Sequence, residues 1–202
     1  MNYFEFFSLP KKLTVDVSAL EKQFYILSRK LHPDRFASQP AAEQESALAQ
    51  SSLLNDAYRT LKDPILRTQY LLKLEGVELE EQSKAATDAA RTTGEQKKQI
   101  VPAELLEEVF ELNMQLQEMR AAKQMGEDEP ELRRDLMTAK DSFDAKMVET
   151  QDELEGLWSR WDAAMDSGDE ARKTAAKDAM VTLLNKRSYL RNLVRDVNDA
   201  LE

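Results

Sequence analysis

The fold of the N-terminal part of the chain is decided by the stretch SALEKQFYILSRKLHPDRF, residues 18–36. Ser18 and Glu21 have the spacing of a capping box, in which each side chain accepts a hydrogen bond from the other residue's backbone, and this predicts the start of a helix. Apolar residues then recur every three or four positions and predict one buried face: Leu20, Phe24, Leu27 and Leu31. Pro33 ends the helix, because the residue before a proline is disfavoured in the α conformation.

Two further helices are predicted after this stretch. The first, over residues 41–61, carries apolar residues on one side: Ala47, Leu54, Ala57, Tyr58 and Leu61. The pair Asp63-Pro64 ends it and begins a short helix, and Gly76 then supplies a C-cap signal. Residues 1–76 therefore form one predicted module.

The rest of the chain predicts a linker and a helical bundle. Residues 77–101 are polar and are interpreted as a linker. Beyond them, three stretches with helical periodicity occupy residues 102–202, with breaks at residues 126–130 and 167–168. Short loops between consecutive helices favour antiparallel packing, so this module is predicted to be a C-terminal three-helix bundle. With only 5 Gly and 6 Pro, the expected fold class is all-α throughout.

Composition and charge exclude several classes of protein. The chain has no cysteine, which excludes disulfides and cysteine-ligated metal sites. No stretch approaches the roughly 18 apolar residues of a membrane span, and the N-terminus does not have the pattern of a signal peptide, so a cytoplasmic protein is expected. A net charge of −10 without a large basic patch argues against nucleic-acid binding. Residues 1–75 carry 10 Lys and Arg against 9 Asp and Glu, and the remainder carries 18 against 29, which suggests two modules with different partners.

The tripeptide His32-Pro33-Asp34 follows the first long helix and contains the only histidine of the chain. Taken alone, a histidine beside a proline is most often a surface loop residue. A catalytic His–Asp dyad is not indicated, because Pro33 holds the two side chains apart and no nucleophile motif accompanies them. No metal-ligand cluster or phosphate-binding loop is seen either, so no catalytic residue, metal site or cofactor is expected. With a basic helix before it and a longer helix after it, the tripeptide resembles the loop of a J domain, and this resemblance covers nearly all of residues 1–75.

The resemblance implies that this loop binds a DnaK-family chaperone and stimulates its ATPase. Pro33 would fix the backbone, and Asp34 would offer a carboxylate for a charge-assisted pair with an arginine of the partner. Four basic side chains would steer the helix onto an acidic surface: Lys22, Arg29, Lys30 and Arg35. Each of the four could equally belong to an ordinary solvated helix face.

A second candidate surface lies in the predicted bundle. On its first helix, three apolar side chains share a face beside the core stripe: Leu106, Phe110 and Met114. On the last helix, Tyr189 and Leu193 lie beside the predicted core residues in the same way. Apolar side chains that the core does not need indicate a docking surface. The open alternative is that this face packs on the first module or widens the core.

Five longer stretches are similar to the HscB co-chaperones of iron–sulfur cluster assembly. They are NYFEFFSLP (residues 2–10), HPDRFA (32–37), RTQYLL (67–72), LLEEVFEL (105–112) and KRSYLRNL (186–193). The resemblance implies two partners, an HscA-type chaperone and an IscU-type scaffold protein that carries the nascent cluster. It places the scaffold-binding patch at Leu106, Phe110, Glu111, Met114 and Tyr189, with Leu193 on the same predicted face as Tyr189. Glu107 and Met114 depart from the expected pattern.

The sequence thus predicts a non-enzymatic co-chaperone with two binding surfaces. Its J domain would stimulate ATP hydrolysis by an HscA-type chaperone while its bundle holds the scaffold protein, which raises their effective concentration. Two alternatives stay open, a J-domain adaptor that recruits a different client and a helical assembly protein whose J domain no longer acts. None of the three requires a cofactor, a nucleic acid or a membrane.

Overall fold

The computed structural model of the chain describes residues 1–77, 79 and 101–202. Regular structure within these residues is helical, which confirms the predicted all-α class. The α-helices are α1 (Tyr3–Phe6), α2 (Val17–Leu31), α3 (Ala41–Lys62), α4 (Pro64–Leu74), α5 (Leu106–Met125), α6 (Pro130–Ser167) and α7 (Glu170–Leu201). The predicted linker lies outside the described residues, apart from Val77, Leu79 and Val101.

Helix α2 begins earlier than the capping-box pattern predicts. Its N-cap is Asp16, whose carboxylate accepts a hydrogen bond from the Ala19 amide at 3.0 Å. The capping box at Ser18 and Glu21 was therefore the wrong start. An aspartate cap satisfies a free N–H and also places negative charge at the positive end of the helix dipole, so extending the helix to Val17 is favourable.

The described residues form two compact units. The first unit contains residues 1–77 together with Glu155–Asp178, and the second contains residues 101–154 together with Ala179–Glu202. The sequence assigned residues 155–178 to the second module. In the structure, the end of α6 and the beginning of α7 pack with the N-terminal helices instead.

The first unit is built on the hairpin of α2 and α3, with α1 and α4 packed against α3. Leu20 is the only buried residue of α2, whereas the other members of its apolar stripe are partly exposed. Phe24 stacks on Tyr58 of α3 with ring centroids 4.1 Å apart. The side of α2 that carries Leu20 and Phe24 therefore faces α3.

Two buried polar groups, Asp162 and Arg67, connect the end of α6 to the N-terminal residues of the same unit. The carboxylate of Asp162, which is only 8% exposed, accepts hydrogen bonds from the Leu13 amide at 2.8 Å and the Thr14 amide at 2.9 Å. The guanidinium of Arg67 lies 4.6 Å above the ring of Trp158 and donates to the Leu61 carbonyl. Burial lowers the pKa of Arg67. Long-range polar contacts of this kind fix the two segments in one arrangement.

Glu75, just after α4, connects the end of α4 to the beginning of α7 within the same unit. Both Lys11 and Lys173 form ion pairs with its carboxylate. Burial opposes ionisation of this group, but the hydrogen bonds from the two lysines outweigh that effect and hold the pKa of Glu75 below its ordinary value.

The second unit has a core made by α5, α6 and α7. Its fully buried residues come from all three helices, and examples are Leu112 on α5, Phe143 on α6 and Leu190 on α7. Gly126 ends α5 in the left-handed conformation, at φ 72°, which a glycine adopts without strain. The three predicted helices of the C-terminal region are thus present.

We predict that Asp162→Ala lowers the free energy of unfolding by about 2–4 kcal/mol, because it leaves the buried amide of Leu13 and its neighbour Thr14 without an acceptor. Chemical denaturation monitored by circular dichroism measures the effect. Asp166→Ala is the matched control, since its carboxylate is exposed and pairs with the side chain of Lys12. That control should cost no more than about 1 kcal/mol. Equal effects of the two variants would contradict the role assigned to Asp162.

Candidate functional site

The loop after α2 presents an exposed carboxylate on a constrained backbone. His32 closes α2 in an extended conformation, and Pro33–Phe36 then form a single 3-10 turn. The amide of Asp34 donates to Nδ1 of His32 at 3.3 Å. The Asp34 carboxylate also lies 3.4 Å from this nitrogen. The Asp34 side chain is 88% exposed and its carboxylate is available to a partner.

The predicted basic residues lie on one side of α2 and in the loop that follows it. Lys22, Arg29 and Lys30 are exposed, and 100° per residue places them within about 100° of one another around α2. Arg35 donates from its guanidinium to the Arg29 carbonyl at 3.3 Å, so the residue after Asp34 folds back on the helix. The structure thus brings together all the residues predicted to bind a chaperone. Their function stays a prediction.

The chemistry of this surface is that of recognition. Asp34 can accept a charge-assisted, bidentate hydrogen bond from an arginine, and the lysines and arginines can pair with carboxylates. Among residues 1–77, 79 and 101–202, no group of three or more His, Cys, Asp or Glu is arranged to hold a metal ion. In the same part of the chain, no helix is long and apolar enough to cross a membrane.

The predicted docking face on α5 is exposed. Leu106, Phe110 and Met114 are 55%, 68% and 56% exposed, and Glu111 beside them is exposed as well. The opposite side of α5 supplies the core, with Leu112 and Leu116 only 1% and 4% exposed. Three large apolar side chains in a row on a solvated helix surface are unusual. Leu106, Phe110 and Met114 are called the apolar row of α5 below.

Ion pairs within the second unit use acidic residues of α5 and of the segment just before it. Glu108 pairs with Lys146 of α6 at 3.1 Å, and Glu104 pairs with Lys186 of α7. Glu107 and Glu111 are both exposed. The carboxylates of Glu107 and Glu111 therefore lie beside the apolar row, and neither takes part in these two ion pairs.

The prediction that α7 contributes to the exposed face was wrong. Tyr189 is 9% exposed and Leu193 is 6% exposed, and both belong to the core of the second unit. Burial, with a smaller contribution from Asp196, raises the pKa of Tyr189. The core of the second unit thus takes in the α7 residues on either side of Leu190.

Sequence reasoning also missed two exposed apolar residues on α2. Tyr25 and Ile26 are 58% and 55% exposed and lie on the side of the helix away from Leu20. The sequence does indicate that they are exposed, because both residues fall outside the apolar stripe of α2 and between basic residues.

Comparison with known proteins identifies the fold. The family model described as DnaJ domain matches residues 2–70. A solved structure described as chaperone HscB from Vibrio cholerae is 26% identical, with a TM-score of 0.60 over 98% of this chain and 96% of that one. Residues 2–70 thus form a DnaJ domain, and the chain as a whole resembles chaperone HscB. The human co-chaperone protein HscB, 24% identical, has the same fold with a TM-score of 0.62 over 98% of this chain and 81% of its own.

Both matches include the loop after α2. The DnaJ match includes the whole of His32-Pro33-Asp34, and the HscB match extends over the helices of the second unit as well. The chain is a J-domain co-chaperone of a DnaK-family chaperone, and the HscB-like co-chaperone fold that it has is a non-enzymatic one.

We predict opposite outcomes for two aromatic residues of the second unit. Tyr189→Ala should cost about 3–5 kcal/mol of folding stability, because it removes a buried ring from the core. Phe110→Ala should change stability by no more than about 0.5 kcal/mol, because its ring is exposed. Thermal melts of the two variants beside the wild type test this. A comparable drop in melting temperature for Phe110→Ala would show that the ring is packed in solution.

Proposed function

We propose that this chain stimulates the ATPase of an HscA-type DnaK-family chaperone and delivers an IscU-type iron–sulfur scaffold protein to it. The observation that carries the proposal is the exposed apolar row of α5, in a chain that resembles chaperone HscB over nearly its whole length. A co-chaperone needs a surface for its client besides its J domain, and this row is a surface that the core leaves unused.

On the chaperone side, the loop and the basic face have separate roles. Lys22 and Arg29 raise the rate of encounter with an acidic surface. Asp34 then forms a charge-assisted pair with an arginine of the chaperone, and Pro33 lowers the entropy lost on binding by fixing the backbone beforehand. The ATP hydrolysis itself takes place in the chaperone.

On the client side, the apolar row of α5 is the scaffold-binding surface. Leu106, Phe110 and Met114 would enter an apolar depression of the scaffold protein, with Glu111 at the edge of the contact. A central aromatic side chain surrounded by smaller contacts is the usual composition of an interface hot spot. Because one chain carries both surfaces, a bound client is presented to the chaperone at a raised effective concentration.

A second candidate is a J-domain adaptor that brings a different client to the chaperone. The observation that favours it is the burial of Tyr189 and Leu193, because it leaves the exposed face narrower than the resemblance implies. Titration of the chain with an IscU-type scaffold protein separates the two candidates. Absence of binding would favour the adaptor.

We predict that His32→Gln and Asp34→Asn each abolish stimulation of the chaperone ATPase and leave the melting temperature unchanged. Both side chains are more than half exposed, so neither contributes much to folding. Steady-state ATP hydrolysis by the chaperone, measured with increasing co-chaperone, gives the result. Glu45→Gln, an exposed carboxylate on α3, is the control and should stimulate like the wild type. Full stimulation by both loop variants would refute the role of the loop.

We predict that Phe110→Ala weakens binding of an IscU-type scaffold protein by about 1–3 kcal/mol, the range for an aromatic residue at the centre of an interface. Isothermal titration calorimetry measures the affinity. Val148→Ala on α6 is the matched control, because Val148 is an exposed apolar residue of the same unit outside the apolar row. If the two variants bind the scaffold equally well, the apolar row is not its binding surface.

A further inference from the structure

Two adjacent apolar side chains interrupt the basic face of α2. Tyr25 and Ile26 are 58% and 55% exposed. At 100° per residue, they lie with Lys22 and Arg29 inside an arc of about 100°. Single exposed apolar residues are ordinary on protein surfaces. An exposed pair surrounded by the cations of a binding face requires an explanation.

The packing of α2 does not use this pair. Leu20 is buried in the core and Phe24 stacks on Tyr58. The hydroxyl of Tyr58 donates a hydrogen bond to the carboxylate of Glu21 at 3.1 Å. Tyr25 makes an edge contact with the neighbouring ring of Phe24, at 5.6 Å between centroids. Its ring is therefore oriented but not covered.

The charge of this part of the chain is small. Residues 1–75 carry 10 Lys and Arg against 9 Asp and Glu, a net charge of +1. Attraction between the basic face of α2 and an acidic partner raises the association rate. Salt screens this attraction over about 8 Å at physiological ionic strength. It supplies little affinity once two surfaces are in contact.

We propose that Tyr25 and Ile26 form an apolar contact with the DnaK-family chaperone, so that the J domain is held by a salt-independent interaction as well as by charge. The inference rests on the proposed function. The occupant follows from position, because the pair lies between Lys22 and Arg29 and about 10 Å along the helix from His32. A chaperone surface that engages the loop and these cations also covers the two apolar side chains. Burying them removes apolar area from water, which slows dissociation regardless of salt.

The test is the affinity of the full chain for each purified DnaK-family chaperone of the same organism, at low and at high salt. The double variant Tyr25→Gln/Ile26→Gln keeps good helix formers on α2. We expect it to weaken binding about tenfold at both salt concentrations. The charge variant Lys22→Gln/Arg29→Gln should weaken binding at low salt and approach the wild type at high salt. Leu66→Gln on α4, another exposed apolar residue, should bind like the wild type.

The single variant Ile26→Gln repeats the test if the double variant melts early, because Ile26 has no aromatic contact to lose. Wild-type affinity of the apolar variants at high salt would overturn the inference and leave the proposed function intact. A wild-type chain that stimulates none of the chaperones would overturn both. Sedimentation of the chain alone tests a second copy as the occupant: dimers that the Ile26→Gln variant abolishes, with chaperone binding unchanged, would also refute the proposal.

Discussion

Asp162 places a carboxylate where water has little access, so the group must find hydrogen-bond donors inside the protein. It finds them in the amides of Leu13 and Thr14, and Asp162 belongs to α6 while those amides lie in the segment just before α2. That segment leads directly to Asp16, the cap of α2. The start of the basic helix is thus held by a buried interaction, and the His32 loop follows at its other end. A binding surface on a helix held in this way loses little conformational entropy when a partner binds.

Most of the helices could be predicted from the spacing of apolar residues and from the residues that begin and end helices. Asp63 and Pro64 separate α3 from α4 as expected, since Asp63 caps the second helix and Pro64 takes its first position. The composition of the first unit could not be predicted. The contacts of Asp162 with Leu13 and Thr14 join residues 149 and 148 positions apart. An apolar stripe on α6 predicts that the helix is buried on one side and does not identify the helix that it packs against.

The same limit explains the mixed result for the binding surfaces. Leu106, Phe110 and Met114 were predicted correctly as exposed, because α5 packs through a narrow stripe on its other side. Tyr189 and Leu193 have the same sequence pattern and are buried in the core of the second unit. Whether the core takes in the residues beside an apolar stripe depends on the tertiary structure. The tripeptide around Pro33, in contrast, is local and could be recognised from the sequence alone.

The two proposed surfaces differ in their physical character, and this has a consequence for how binding can be adjusted. In the function that we propose, charges on α2 act at a distance and chiefly change the rate of encounter with the chaperone. In the same proposal, Phe110 and its apolar neighbours on α5 act only in contact and chiefly change the rate at which a client leaves. A substitution on α5 can therefore lengthen the time for which a client stays bound without changing the rate of chaperone recruitment. An adaptor whose client must remain bound until a chaperone arrives needs these two rates to be independent, and placing the surfaces on separate helices allows it.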